Sequence, residues 1–310
     1  MVRGLRATLC ALLLAGCDGG LGHHPASATT PTTGADASIE DSSGPPSAPG
    51  RTDGGVSVSG SRCTRTDENI ECTHHVLEVS DGVEDRVVTY ELPLGAPPAG
   101  GWPVAIVFQG SFLPGARSFS ATKEDAFGLY HLVDTVKSLL DGGYAVIAPN
   151  ARSAGTTYWQ TNIAPYSLNW SGCLDDVLMN ELFTAVESGT FGPLNSKRLY
   201  ATGISSGGFM TSRMAVSYPG RFRALAIHSA SYATCGPTCV VPAQLPADHP
   251  PTLFVHGADD NVVPVSTTVD YRDKLAAQNT PTVTLIDEAG GHAWLSTATS
   301  AVPSWFDGYP

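Results

Sequence analysis

The chain has 310 residues, room for one large domain or two small ones. Its 17 Lys and Arg against 29 Asp and Glu leave a formal net charge of −12, which argues against a nucleic-acid partner, since phosphate binding needs a basic face. An apolar content of 42% is enough for a packed core, and no apolar run reaches the roughly eighteen residues that span a bilayer.

The first residues read as an address. Arg3 and Arg6 precede a short apolar stretch over residues 7–15, the layout of a Sec-type secretory signal. The two arginines are not adjacent, so a twin-arginine signal is not expected. The stretch ends in Leu14-Ala15-Gly16-Cys17, which resembles the lipobox of bacterial lipoproteins. That resemblance implies cleavage after residue 16 and lipidation of Cys17; the plain alternative is an ordinary signal with an incidental cysteine. Residues 18–61 are mostly Gly, Ser, Thr, Pro, Ala and Asp with no Phe, Trp or Tyr, and their only larger apolar residues are Leu21, Ile39, Val56 and Val58, too little apolar surface to offset ordering entropy. Such a tether spans roughly 35–40 Å as a flexible coil. The organisation expected is therefore a signal over 1–16, a lipidation site and tether over 17–61, and a folded domain over 62–310.

Within that domain, short β-branched runs alternate with helical patterns. Residues 75–79 and 87–92 read as an antiparallel pair around Asp81-Gly82, and 104–108 as the next strand. A helix near 130–140 leads to 144–148, whose near-continuous apolar run suits a strand covered on both faces. A helix over 175–187 precedes the strand 198–203, and a helix over 208–218 follows it. Strands at 224–228, 252–256 and 283–286 complete eight, with a helix at 266–277 between the last two. This alternation predicts one α/β domain whose mostly parallel sheet carries helices on both faces. Asp175-Asp176 read as a charge pair facing the dipole of their helix.

Seven cysteines become five once Cys10 is removed with the signal and Cys17 is lipidated. In an oxidising compartment Cys63–Cys72 and Cys235–Cys239 are the expected bridges, each closing a short loop, with Cys173 free. Sequence leaves that connectivity open. No Cys or His spacing fits a metal site, and no cofactor is expected.

The residues at 203–208 carry the chemistry. Gly203-Ile204-Ser205-Ser206-Gly207-Gly208 is a G-x-S-x-G run between a predicted strand and a predicted helix, the setting of a nucleophile elbow. Ser205 must sit in a tight turn to project its hydroxyl above the sheet, and a Cβ at 203 or 207 would collide with neighbouring segments. A serine nucleophile needs a base and an orienting acid, which follow in the order Ser, acid, His on this architecture. His292, in a Gly290-Gly291-His292 loop after the last strand, is the base expected. Asp259, Asp260 and Asp287 compete for the acid. The oxyanion donors expected are the amides of Ser206 and Ser111, the latter in the Gln109-Gly110-Ser111 loop. His256, at a strand end, reads as structural.

The run His256-Gly257-x-x-Asp260-x-Val262-Val263-Pro264 resembles the acid loop of secreted polyhydroxyalkanoate depolymerases and feruloyl esterases, which selects Asp260. Together with the elbow and the His292 loop, the chain is similar to extracellular medium-chain-length polyhydroxyalkanoate depolymerases, with the likeness spanning most of 102–305. It implies a single α/β-hydrolase domain that cleaves a water-insoluble polyester through an acyl-enzyme. Many relatives carry His where this chain has Gln109, and the lipobox and tether also depart from the pattern. Tyr158, Trp159, Tyr166 and Trp170 crowd one loop, and Trp294 follows the base; these aromatics either grip an apolar acyl chain or pack as core. The same triad would serve a feruloyl or acetyl-xylan esterase, which small esters would reveal, or a serine peptidase, which amides would reveal. A tethered binding protein with a dead site would fail to react with a serine-directed phosphonate. Membrane contact is expected only through Cys17, and oligomeric state is left open.

Overall fold

The computed structural model describes residues 60–236 and 239–310. The signal, Cys17 and nearly all of the tether lie outside the described residues. In chain order the strands are β1 (Cys63–Arg65), β2 (Asn69–Cys72), β3 (His75–Ser80), β4 (Asp85–Glu91), β5 (Trp102–Phe108), β6 (Ser120–Thr122), β7 (Ala145–Pro149), β8 (Leu194–Ile204), β9 (Phe222–His228), β10 (Thr252–Gly257) and β11 (Thr282–Asp287). The helices are α1 (Leu129–Asp141), α2 (Leu174–Glu187), α3 (Ser206–Ser217), α4 (Val265–Ala277) and α5 (Ala298–Asp307).

The eight expected strands form one sheet in the order β11-β10-β9-β8-β5-β7-β4-β3. Pairing is parallel from β11 through to β7 and antiparallel across β7-β4-β3. Strand β5 shows why both faces must be covered. Val104, Ile106 and Phe108 point into a core with α2 and α3, while Ala105 and Val107 point into another with α1 and α5. Helix α1 fits because Leu129, Leu132, Val133, Val136, Leu139 and Leu140 recur at helical spacing on its buried face.

The chain leaves β5 through α1 to β7, then crosses back through α2 to β8, and continues through α3 to β9. Strands β5 and β8 thus flank the point where the winding reverses. Open α/β sheets form their ligand crevice there, beyond the carboxyl ends of the strands.

Two features were not read in the sequence. Strands β1, β2 and β6 make a separate three-stranded sheet, stitched by the Cys63–Cys72 disulfide and packed on α1 through Ile70, Phe119 and Ala121. Helix α5 docks beside α1, its Phe306 buried against Tyr144 and Tyr200. Cys235–Cys239 forms the second expected bridge, and Cys173 is free.

Asp175 and Asp176 both lie in the first turn of α2, as expected, but Asp175 does more than face the helix dipole. It is buried in an ion pair with Arg86 at 2.8 Å, and Arg86 also binds Asp81 at 2.7 Å. The other oxygen of Asp175 accepts the Gln160 amide. Burial pushes the Asp175 carboxyl pKa up, against the pull of Arg86. Its neighbour Asp176 accepts the Gly172 amide and the Tyr218 hydroxyl.

Candidate active site

Ser205 stands between β8 and α3 with φ 56° and ψ −123°, a conformation non-glycine residues avoid unless the surroundings impose it. What imposes it is backbone crowding. A Cβ on Gly207 would lie 2.0 Å from the Phe108 carbonyl oxygen, and one on Gly203 would lie 2.4 Å from that of Gly207. The missing side chains let the end of β5 and the start of α3 close onto the turn. Its grip is completed by the Ser205 amide, which donates to the His228 carbonyl at the end of β9 at 3.0 Å.

The loops after β10 and β11 are fastened together by backbone hydrogen bonds. The Ala258 amide donates to Asp287 O and the Asp259 amide to Gly290 O, both at 2.9 Å. Gly257 permits the approach, since a Cβ there would come within 2.1 Å of Gly290 O. This contact brings two side chains distant in sequence into register: His292 Nδ1 lies 2.8 Å from Asp260 Oδ2. The other oxygen, Oδ1, accepts the amides of Val262 and Val263 at 2.8 Å each. Asp259 is exposed and uses its backbone instead, so of the competing carboxylates it is Asp260 that meets the histidine.

Asp260 has a further partner. His256 is fully buried, with Nε2 at 2.9 Å from Val263 O and 3.2 Å from Asp260 Oδ2, and Nδ1 at 2.8 Å from Thr268 Oγ1. Burial alone would raise the Asp260 pKa. Hydrogen bonds from His256, His292 and the Val263 amide overcome it and hold the carboxyl well below the usual carboxylate range. The carboxylate stays ionised where a neighbouring imidazole needs an acceptor.

Beneath the His292 loop, His228 stacks on Trp294 with centroids 3.7 Å apart, and its Nε2 lies 3.0 Å from Thr202 Oγ1. Its burial pushes the imidazole down to about 3, so it is a neutral packing element. On the opposite side, the Trp159 indole N–H donates to Gln109 O at 3.0 Å, and the Trp159 amide donates to Ser206 Oγ at 2.9 Å. Gln109 in turn hydrogen-bonds Ser118 through its side chain. The amides of Ser111 and Ser206 have no acceptor among the described residues.

Three of the aromatics expected near an acyl chain are core instead. Trp159 and Trp294 are each 1% exposed, the first against Phe108 and the second with its indole N–H on Thr135 Oγ1. Trp170 is buried under the Arg213 guanidinium. Large rings beside polar anchors were placed by burial, not by the substrate side of the loop. Tyr158 stays at the surface, and Tyr166 is half-buried. Sequence reasoning missed Phe127, whose ring lies edge-on to His292 at 6.4 Å. It also missed the contact of His256 with Asp260, for which the four-residue spacing was the available signal.

A serine held in a strained elbow after β8 and a hydrogen-bonded His–carboxylate pair in the loops after β10 and β11 are the parts that acyl transfer uses. The family model for dienelactone hydrolases matches residues 123–306. The chain belongs to the dienelactone hydrolase family. A poly(3-hydroxyoctanoate) depolymerase from Pseudomonas fluorescens is 49% identical over 243 residues, covering 78% of this chain and 86% of that protein. Among solved structures, S-formylglutathione hydrolase from Staphylococcus aureus matches with a TM-score of 0.55 at 16% identity, covering 82% of this chain and 100% of that one. Acylaminoacyl peptidase from Pyrococcus horikoshii matches with a TM-score of 0.53 at 14% identity, over 75% of this chain and 40% of its own. At such identities the likeness to those structures is one of fold. As a member of the dienelactone hydrolase family, the chain is an ester hydrolase with the α/β-hydrolase fold.

Proposed function

We propose that Ser205, His292 and Asp260 hydrolyse a hydrophobic polyester, medium-chain-length poly(3-hydroxyalkanoate), through an acyl-enzyme. The observation that supports the mechanism is the 2.8 Å contact of His292 Nδ1 with Asp260 Oδ2, in the loops after β11 and β10 of the sheet whose β8 leads into the Ser205 elbow. The substrate rests on the 49% identity to the Pseudomonas fluorescens depolymerase.

In the first step Ser205 Oγ bonds to the ester carbonyl carbon as His292 Nε2 takes the hydroxyl proton. Asp260 accepts from Nδ1–H and stabilises the imidazolium without taking the proton itself. The carbonyl oxygen becomes an oxyanion that accepts from the Ser206 and Ser111 amides; each such donor is worth about 10²–10³ in rate. Collapse breaks the ester C–O bond, and the departing alkoxide takes the proton from His292. Water then repeats the sequence on the acyl-enzyme and releases the hydroxy acid. Ser205→Ala should lower turnover at least about 10⁴-fold while the fold persists, measured as clearing of a polymer suspension beside circular dichroism. A variant that still cleared the suspension briskly would sink the assignment. Wild type that cleaves soluble feruloyl or acetyl esters and leaves polymer intact would keep the triad and discard the substrate.

The reading extends to the cell envelope. Residues 1–16 direct export, Cys17 receives the lipid, and residues 17–61 tether the hydrolase domain within reach of insoluble material. In detergent phase separation, Cys17→Ser should move the protein from the detergent to the aqueous phase; equal partitioning of both forms would refute the anchor.

A further inference from the structure

Of the ten phenylalanines in the chain, eight are buried. The other two, Phe112 and Phe127, are 61% and 56% exposed. Both lie in the segment between β5 and α1, one on each flank of the candidate site. Phe112 directly follows Ser111 in the expected oxyanion loop, and Phe127 sets its ring edge-on to His292. Val262, 52% exposed, adds an apolar side chain two residues after Asp260, and Tyr158 stands next to the residue that binds Phe112.

The backbone under both rings is unusual. Phe112 has φ 66° and Phe127 φ 59°, the left-handed region that Cβ sterics make costly for a bulky residue. Each is clamped there by the site's own loops. The Phe112 amide donates to Thr157 O at 2.8 Å, and Phe127 O accepts the Trp294 amide at 2.9 Å. A folding requirement explains a buried strained residue; it does not explain two large rings held in water at a cost in backbone energy. Solvent-exposed apolar surface concentrated at one site marks binding. The two described surface cavities lie elsewhere, one of about 510 Å³ by Trp170 and Tyr218 and one of about 280 Å³ by β3 and α2, and neither includes Ser205, Asp260 or His292.

We infer that Phe112 and Phe127, with Val262, form an apolar rim that receives the aliphatic side chains of the polyester beside the scissile ester. The inference rests on the polyester reading, but the acyl-chain preference it implies is measurable on soluble esters alone.

The test is the double variant Phe112→Asn/Phe127→Asn, because asparagine tolerates the left-handed region and removes the ring. The ratio of p-nitrophenyl octanoate to p-nitrophenyl acetate turnover should fall about tenfold, equivalent to about 1.4 kcal/mol. Clearing of a poly(3-hydroxyoctanoate) suspension and its binding by depletion should fall in step, while the unfolding temperature holds or rises. An unchanged ester ratio in the folded variant overturns the rim. If wild type fails to clear polymer yet the ratio falls in the variant, the polyester reading fails and the rim stands as an acyl site. If both clear polymer equally, the rim fails alone. A wild-type dimer that the variant abolishes, with the ratio unchanged, would make this face a self-association surface and overturn the rim. Should the double variant not fold, Phe112→Asn and Phe127→Asn singly decide on the same ratio.

Discussion

Asp260 Oδ2 is approached by two imidazoles, and they have different standing. His292 is half-buried and binds Asp260 through Nδ1, whereas His256 is fully buried and bound at both ring nitrogens. His256 therefore acts through Asp260, fixing the carboxylate so that its free lone pair meets His292. Hydrogen bonds to charged groups contribute about 1.5–3 kcal/mol, so His256→Ala should lower kcat about ten- to a hundredfold with KM for a small ester little changed. His256→Gln, whose amide can occupy the Nε2 position, should recover much of that loss. Equal kcat in wild type and His256→Ala would show that the second imidazole is packing only.

At the scale of elements, the site is a set of strand-end loops held in place by the parts packed around them. The Arg86–Asp175 pair anchors the Gln160 amide, and the adjacent Trp159 fastens to Gln109 and Ser206. On the other face, the Cys63–Cys72 bridge secures the small sheet on α1, the helix whose N-terminal side carries Phe127. By loop-closure entropy, removing that bridge should cost about 2–3 kcal/mol. Urea titration of the Cys63→Ser/Cys72→Ser variant measures it. A loss near zero would mean that apolar packing of Ile70 and Phe119 alone holds the sheet.

For the whole molecule, two buried histidines set its response to acid. His228 is pushed down to about 3 and His249 to about 4, in both cases mainly by burial. His249 accepts from the Tyr271 hydroxyl at 2.5 Å and donates from Nδ1 to Pro250 O, so its neutral form is the one the fold uses. In the unfolded chain each imidazole titrates near 6.5. Between those values the unfolded state binds more protons than the folded one, so stability falls as pH drops from about 6.5 toward 4. The loss should reach about 2–3 kcal/mol apiece by pH 4.5. His249→Gln, which cannot take the proton, should flatten the slope of unfolding free energy over pH 4–6.5. A stability profile flat across that window in wild type would contradict the assignment.

The main strands were legible because their cause is local. An apolar run such as Tyr144-Ala145-Val146-Ile147-Ala148 has nowhere to go except between two covered faces, and β7 occupies it. Strands β1 and β6, three residues each, carry too little pattern to read, and Pro303 inside α5 looks like a helix breaker when the helix is in fact held by Val302, Trp305 and Phe306. The elbow was legible because its pattern is local, two glycines flanking Ser205 within five residues, although the backbone they admit includes the distant end of β5. Sequence by itself thus determined the α/β architecture, the position of Ser205, and Asp260 and His292 as its candidate partners. Only the tertiary structure decided that His256 shares the carboxylate, that Trp159, Trp170 and Trp294 are core, and that Phe112 and Phe127 are left in solvent. The ring placements depend on which loop lies against which across 30 residues or more of chain, and the His256 contact depends on how the turn after β10 folds back; hydrophobicity along the chain does not say on which side of a loop a ring will find its cover.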